Sequence, residues 1–202
     1  MQDKLAKTIS ILFHPLLFPS YFTLLIFNLN NYISLLIPTG AKLVIFSLVL
    51  ITTFIFPTIF ILIIKRKGLI KSLEMESREE RVYPYAIAGI FNFSTFYMIK
   101  QIQIPEEYYL CLLGSATLIL ICLVINFYTK ISAHLVGAGG FTGALIGISL
   151  RLDIDLVVLI ISAILCSGLI GFARLKLNAH KPFQIYLGFI CGMIVMTIFL
   201  LI

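Results

Sequence analysis

The sequence predicts an all-α fold, a bundle of about seven transmembrane helices that forms a single membrane domain over residues 1–202. Two observations favour this fold. Of the 202 residues, 60% are hydrophobic and 12% are charged, whereas a soluble domain has about 25% charged residues. The apolar residues also run in long blocks and do not alternate, which disfavours a membrane β-barrel. Because one spanning helix needs about 20 apolar residues, seven spans leave no room for a separate soluble domain.

Seven apolar blocks mark the predicted spans. Pro15 and Pro19 are expected to bend the first span, and Pro57 lies inside the second. The third span is short and contains Asn92. The predicted spans are 8–28, 41–64, 84–99, 108–128, 133–150, 156–173 and 182–202.

The fifth predicted span is rich in glycine. Gly139, Gly143 and Gly147 recur every four residues and therefore share one helix face. In a membrane, such a stripe of small residues allows another helix to approach closely. We interpret the stripe as a packing surface, and the alternative is the wall of a pore or a surface that a ligand approaches.

Lysine and arginine are unequally divided between the two sides of the predicted bundle. Seven spans put the loops 65–83, 129–132 and 174–181 on the same side as the N-terminus. Of the 15 Lys and Arg residues, twelve lie on that side, and the other three are Lys42, Lys100 and Arg151. The positive-inside rule assigns the basic side to the cytoplasm. We therefore expect an integral protein of a bacterial inner membrane, with these loops on the cytoplasmic side.

Three polar clusters lie on this same side, each next to the start of a predicted span. Polar residues at a membrane cost free energy, so they are candidates for function. Their coincidence on one side indicates a shared site. The clusters are Lys71, Arg78 and Arg81 before Pro84; Lys130, Ser132 and His134; and Arg174, Lys176, Asn178 and His180 before Pro182.

The helix starts beside these clusters are expected to favour an anion. Pro84 and Pro182 suit the first position of a helix, and Ser132 suits an N-cap. Helix N-termini present unpaired N–H groups and a partial positive charge. Combined with Lys and Arg side chains, three such ends would bind phosphate, which Arg contacts with two parallel hydrogen bonds.

Two histidines in these clusters indicate phosphoryl transfer. One imidazole, of His134 or His180, could attack phosphorus while the other protonates the leaving oxygen. Histidine suits both tasks because its ordinary pKa lies near neutrality. Guanidinium groups and helix amides would stabilise the charge that develops on the phosphoryl oxygens.

No cluster of Asp and Glu in the predicted spans is typical of a metal site. The glutamates at 74, 76, 79 and 80 crowd one loop. We interpret them as a solvated face or as partners of neighbouring arginines, and the alternative is an unspecific site for a divalent ion. Haem binding is disfavoured because no two of the three histidines share a predicted span at a suitable spacing. We expect the bilayer as an environment, no nucleic-acid partner, and leave protein partners open.

At these clusters the sequence resembles the type 2 phosphatidic acid phosphatase superfamily of integral membrane phosphatases. That family has three motifs in order, K-x6-R-P, P-S-G-H and S-R-x5-H-x3-D. Arg174 and His180 keep the spacing of the third motif, and Ser132 and His134 match the second more loosely. Lys71-x6-Arg78 has the spacing of the first, while Arg81-x2-Pro84 has a displaced proline. The resemblance covers roughly residues 65–195.

The resemblance implies a lipid phosphatase that needs neither a metal ion nor an organic cofactor. His180 would be the nucleophile and form a phosphohistidine, and His134 would protonate the leaving group. The substrate would be a phosphorylated lipid such as phosphatidate, phosphatidylglycerol phosphate or a polyprenyl diphosphate. The substrate-binding residues would be Arg174, Lys71, Arg78 or Arg81, Ser132, Lys130 and Gln184.

The sequence also departs from the family. Gln184 stands where the family has an aspartate, and Ala133 replaces a glycine. Family members typically have six spans, and here spans 3 and 4 fill the interval between the first two motifs, an even number that keeps the motifs on one side. These departures leave open a catalytically weak or inactive scaffold that only binds. A transporter is disfavoured because the sequence has no inverted repeat.

Overall fold

The structure is a computed structural model that describes residues 2–29, 32–73, 75, 77–102 and 104–202. Within these ranges the secondary structure is helical, without a strand, and it forms seven long helical segments. Six of them are long and apolar enough to cross a membrane. The predicted all-α membrane bundle is therefore confirmed, although the third predicted span, 84–99, is not among these six. The six are Asp3–Asn28, Thr39–Arg66, Glu106–Asn126, Ala133–Leu152, Val157–Lys176 and Pro182–Leu201.

The first segment is broken near its middle. Helix α1 (Gln2–Leu12) gives way to a 3-10 turn (Pro15–Leu17), which leads into α2 (Phe18–Asn28). His14 has an extended backbone, with φ −64° and ψ 135°, as expected for a residue before proline. The predicted bend at Pro15 is confirmed, and His14 lies at this bend, between α1 and the 3-10 turn.

The second segment also contains an irregular turn. After the short α3 (Tyr32–Leu35), helix α4 (Thr39–Leu50) runs through a π-helical turn (Ile51–Ile55) into α5 (Phe56–Arg66). Pro57 is the second residue of α5, one residue after this turn. Because proline lacks an N–H and its ring crowds the preceding turn, a wider turn before it relieves the conflict.

Helix α6 (Arg78–Lys100) begins earlier than predicted. Ser77 is its N-cap, since its Oγ accepts a hydrogen bond from the backbone N–H of Glu80 at 3.3 Å. The expectation that Pro84 starts this helix is wrong, because Pro84 lies inside it. The serine cap, followed by two glutamates that favour a helix N-terminus, outweighs the proline signal.

Helices α7 (Glu106–Asn126), α8 (Ala133–Leu152), α9 (Val157–Lys176) and α10 (Pro182–Leu201) complete the bundle. The glycine face of α8 packs closely against α10. A Cβ atom at Gly139 would collide with the carbonyl oxygen of Phe189, and one at Gly143 with that of Met193. Thr197 Oγ1 also donates a hydrogen bond to the carbonyl oxygen of Gly143 at 3.1 Å. The stripe is therefore a helix-packing surface.

The three basic loops meet at one end of the bundle. Arg81 Nη1 donates to the carbonyl oxygen of Ile131 at 3.1 Å. His180 Nδ1 donates to the carbonyl oxygen of Lys130 at 3.2 Å, because a carbonyl oxygen only accepts. The loops before α6, α8 and α10 are thus linked to each other, as the span parity predicts.

Candidate functional site

A cavity of about 480 Å³ lies inside the bundle, within the range of about 300–1,000 Å³ typical of ligand pockets. Its polar end is built from several separate elements. These are α1, the break before the 3-10 turn, α6, α8, the end of α9 and the loop before α10. The polar side chains at this end are those of Ser10, His14, Arg81, Tyr85, His134, Arg174 and His180.

The cavity continues from this polar end as an apolar arm. On α6 it is lined from Arg81 to Asn92, and on α8 from His134 to Ala144. At a rise of about 1.5 Å per residue, each of these stretches spans roughly 15 Å along its helix, which is half of a hydrocarbon core about 30 Å thick. Most side chains along the arm are apolar, among them Phe22, Leu118, Ile119 and Met196. The cavity is therefore amphiphilic.

His180 has one ring nitrogen fixed and the other available. Its Nδ1 contacts the carbonyl oxygen of Lys130 at 3.2 Å and the Oε1 of Gln184 at 3.3 Å. Both atoms accept hydrogen bonds, so Nδ1 carries the proton and the neutral ring has its lone pair on Nε2. Burial, followed by the charges of Arg81 and Arg174, lowers the pKa of His180 from 6.5 to about 4. His180 is therefore neutral at pH 7, which is the state that a nucleophile requires.

His134 has the opposite tautomer. Its Nε2 lies 3.0 Å from the carbonyl oxygen of Ser10 and donates to it, so the neutral ring has its lone pair on Nδ1. His134 is the second residue of α8, after Ser132 at the N-cap. The ring can therefore take up a proton at Nδ1, and after that it can donate the same proton.

Arg81 is a buried cation that has no carboxylate partner among the described residues. It is 7% exposed, and its guanidinium donates to the carbonyl oxygens of Met75 and Ile131, each at 3.1 Å. In the described part of the chain, the ion pairs join Arg151 of α8 to Glu106 and Glu107 of α7. These residues lie away from this site. A buried charge is costly without a counter-ion, so Arg81 favours an anion in the cavity.

Arg174 approaches the same space from the last turn of α9. Its Nη1 donates to Ser10 Oγ at 3.3 Å, and its charge acts on the rings of His134 and His180. No Asp or Glu lies among the described residues that line the cavity. Its polar end is therefore cationic.

Two predicted substrate-binding residues lie outside the cavity. Arg78 is exposed, and its Nη1 donates to the carbonyl oxygens of Phe127 and Tyr128 at 3.1 and 2.9 Å, so it caps the end of α7. Lys71 is also exposed, and its backbone N–H donates to Glu80 Oε1 at 3.1 Å. Of the two arginines that the first motif left open, Arg81 is the one that lines the cavity.

Three further predicted residues support the site without lining it. Lys130 and Gln184 hold the Nδ1 of His180, and Gln184 Oε1 also accepts the backbone N–H of Lys181 at 3.0 Å. Ser132 is the N-cap residue of α8, as predicted. It is fully buried, its Oγ forms no hydrogen bond with a described residue, and it is not one of the residues that line the cavity.

The sequence reasoning missed the contribution of the first segment. Ser10 contacts both His134 and Arg174, and the ring centroid of His14 lies 5.9 Å from that of His134. The available signal was an ionisable residue within an apolar run, directly before a proline. It could not reveal which other helix His14 faces.

The described residues contain no group of three or more His, Cys, Asp or Glu that could hold a metal ion. Of the four glutamates in the loop before α6, Glu74 and Glu76 lie outside the described residues. Glu80 accepts a backbone N–H of the same loop instead of pairing with an arginine.

Comparison with known proteins adds no relative to this picture. No protein-family model, no curated protein and no solved structure matches the chain.

Proposed function

We propose that this chain is an integral membrane phosphatase that hydrolyses a phosphorylated lipid through a phosphohistidine intermediate. One observation carries the proposal above the others. Arg81, a buried guanidinium that pairs with no carboxylate of a described residue, lines the same cavity as Arg174 and the two histidines that the sequence singles out. A phosphate group would supply the missing negative charge, and both arginines suit its oxygens.

In the first step, His180 would act as the nucleophile. The lone pair on Nε2 forms a bond to phosphorus, and the bond from phosphorus to the lipid oxygen breaks with its electron pair on that oxygen. Gln184 and Lys130 hold the Nδ1–H, so the ring keeps its orientation while Nε2 reacts. Arg81 and Arg174 would stabilise the charge on the phosphoryl oxygens.

His134 would move the protons of both steps. Its Nε2 is occupied by the carbonyl oxygen of Ser10, so exchange with the substrate takes place at Nδ1. In its protonated form, the ring gives the Nδ1 proton to the leaving lipid oxygen. In the second step, Nδ1 accepts a proton from water as that water attacks phosphorus, the bond to His180 breaks, and phosphate leaves.

The apolar arm of the cavity favours an amphiphilic substrate. With the phosphate between the arginines, a hydrocarbon chain would extend roughly 15 Å along α6 and α8. Phosphatidate, phosphatidylglycerol phosphate and a polyprenyl diphosphate all have such chains, and they remain the candidates. A small soluble phosphate would leave the arm unfilled.

We further propose that the site faces the cytoplasm. Twelve of the 15 Lys and Arg residues lie on its side of the bundle by span parity, which the positive-inside rule assigns to the cytoplasm. In intact cells, an impermeant thiol reagent should not label Leu69→Cys, an exposed position in the loop before α6. Labelling before the cells are lysed would reverse the orientation.

The activity is tested on the purified full chain with a panel of lipid phosphates and no added metal. We expect release of inorganic phosphate, its loss in His180→Ala and His134→Ala, and a phosphohistidine after acid-free quenching of the wild type. Arg174→Ala should also lower the release of phosphate. Lys176→Ala is its matched control, because Lys176 is exposed at the same end of α9 and lies outside the cavity. Equal turnover in His180→Ala would rule out the mechanism.

A non-catalytic phosphate binder is the second candidate, and Gln184 favours it. The amide orients the ring of His180 but brings no charge to stabilise the imidazolium-like phosphohistidine. Such a protein would gain thermal stability from orthovanadate without turning over any lipid of the panel. A detectable phosphohistidine would exclude this candidate.

A further inference from the structure

We propose that His14 is a third functional imidazole of the site, which donates its Nε2–H to the oxygens of the bound phosphoryl group. The inference rests on the proposed function in one respect, since it assumes the same anion between Arg81 and Arg174. His14 belongs to none of the three polar clusters and comes from a different part of the chain, the break between α1 and α2.

The hydrogen bond at Nδ1 fixes the tautomer of His14. Nδ1 lies 3.4 Å from the backbone nitrogen of Leu16 and accepts its N–H. A neutral imidazole has one N–H, so its hydrogen is on Nε2. No described residue accepts a hydrogen bond from that nitrogen.

The ring of His14 lies at the cationic end of the cavity. Its centroid is 5.9 Å from that of His134, with the ring planes at 76°, and both rings line the cavity beside Arg174. Two histidines and an arginine thus surround the same space from α8, α9 and the break after α1. The Nε2–H of His14 adds a hydrogen-bond donor to a wall that has no carboxylate among its described residues.

Capping alone does not account for an imidazole at this position. The N–H of Leu16 needs one acceptor, and Ser, Thr, Asp or Asn provides that acceptor at the start of most helices. Histidine differs from them in its second nitrogen, which reaches further from the backbone. The donor at Nε2 is therefore the property that distinguishes His14 from an ordinary cap.

Two substitutions separate these two nitrogens. In His14→Asn, the amide oxygen stands near the place of Nδ1 and keeps the cap, while the Nε2 donor is lost. In His14→Gln, the amide nitrogen stands near the place of Nε2 and keeps a donor, while the Nδ1 acceptor is lost. The full chain in detergent is titrated with inorganic phosphate, and the rise of the thermal unfolding midpoint gives the dissociation constant.

We expect His14→Asn to weaken phosphate binding about tenfold, the usual effect of losing a hydrogen bond to a charged group. We expect His14→Gln to stay within about threefold of the wild type. The midpoint without phosphate reports folding separately. Unchanged binding in His14→Asn, or equal weakening in both variants, would overturn the inference.

The same samples distinguish this inference from the proposed function. If the wild type binds phosphate but turns over no lipid, the phosphatase proposal fails while the comparison of the His14 variants still holds. If the wild type turns over lipid and His14→Asn binds phosphate as well as the wild type, the inference about His14 fails alone.

Discussion

The Nδ1 atom of His180 lies 3.3 Å from the Oε1 atom of Gln184, one helical turn further along the chain. The same oxygen accepts the backbone N–H of Lys181, so the amide is fixed in its orientation. A neutral acceptor therefore holds the ring where the resembled family has a carboxylate. This relationship sets how strongly His180 can bear positive charge.

Gln184→Glu is expected to raise turnover. Glutamate has the same length and keeps both accepted hydrogen bonds, and its charge stabilises a positively charged ring at His180. We expect a gain of about tenfold in kcat, which corresponds to about 1.4 kcal/mol of added stabilisation. Gln184→Leu removes the acceptor and is the matched control, with an expected loss of activity. A kcat for Gln184→Glu at or below the wild-type value would contradict the argument.

The pH dependence of activity should reflect the lowered pKa of His180. Burial and the nearby arginines lower this pKa from 6.5 to about 4, so the nucleophile stays neutral well below pH 6.5. The acid limb of kcat/KM should therefore lie near pH 4. An acid limb at or above pH 6.5 would show that His180 is not the group that titrates.

Stability should depend on pH through the same residue. Between pH 6.5 and about 4, the unfolded chain binds a proton at His180 that the folded chain does not, so the folded state loses stability as the pH falls through this window. The thermal midpoint should fall less over this range in His180→Gln, which has no such proton to bind. Identical pH profiles for the two proteins would contradict the assignment.

Arg81 and Arg78 should differ sharply when each is replaced by alanine. Arg81 is buried in the cavity wall, whereas Arg78 caps the carbonyls at the end of α7. We expect Arg81→Ala to lower kcat/KM by about 10²–10³-fold, as for the loss of an oxyanion donor, and Arg78→Ala to have a much smaller effect. Steady-state kinetics on both variants, checked for folding by thermal midpoint, decides between the two arginines. A larger effect of Arg78→Ala than of Arg81→Ala would indicate that the phosphate binds at the surface beside α7 and not in the cavity.

A larger side chain in the apolar arm should weaken the binding of long-chain substrates alone. Ala144 is 1% exposed and lines the arm about 15 Å from His134, so Ala144→Leu shortens the space for a chain. We expect KM to rise several-fold for a long-chain lipid phosphate and to stay unchanged for a short-chain phosphate ester. An equal change for both substrates would mean that the arm does not hold the chain.

The glycine face of α8 should not tolerate a methyl group. In Gly143→Ala, the new Cβ would collide with the backbone of α10 at Met193, and overpacking of this kind costs about 1–3 kcal/mol. We expect a clearly lower thermal midpoint. Gly168→Ala on α9 is the control, since a Cβ there meets nothing within 4 Å, and its midpoint should equal or exceed that of the wild type.

Composition and spacing by themselves determined the membrane bundle. Apolar blocks of about the length that crosses a bilayer have few structures open to them other than a spanning helix, and the parity of the seven predicted spans placed three basic loops at one end. The recurrence of glycine every four residues predicted a packing face on α8. Only the fold shows that α10 is the helix that packs against it. Local signals failed at the start of α6, where the cap at Ser77 overrode Pro84.

The tertiary structure alone decided which polar side chains share a cavity. The spacing of the first motif left Arg78 and Arg81 open, and helix rotation buries one and exposes the other. His14 and Ser10 joined the site because the broken first segment lies against α8 and α9, and packing between distant segments has no period in the sequence. The chain thus encodes its spans through local hydrophobicity, while the direction in which each side chain points depends on contacts that form when the spans pack together.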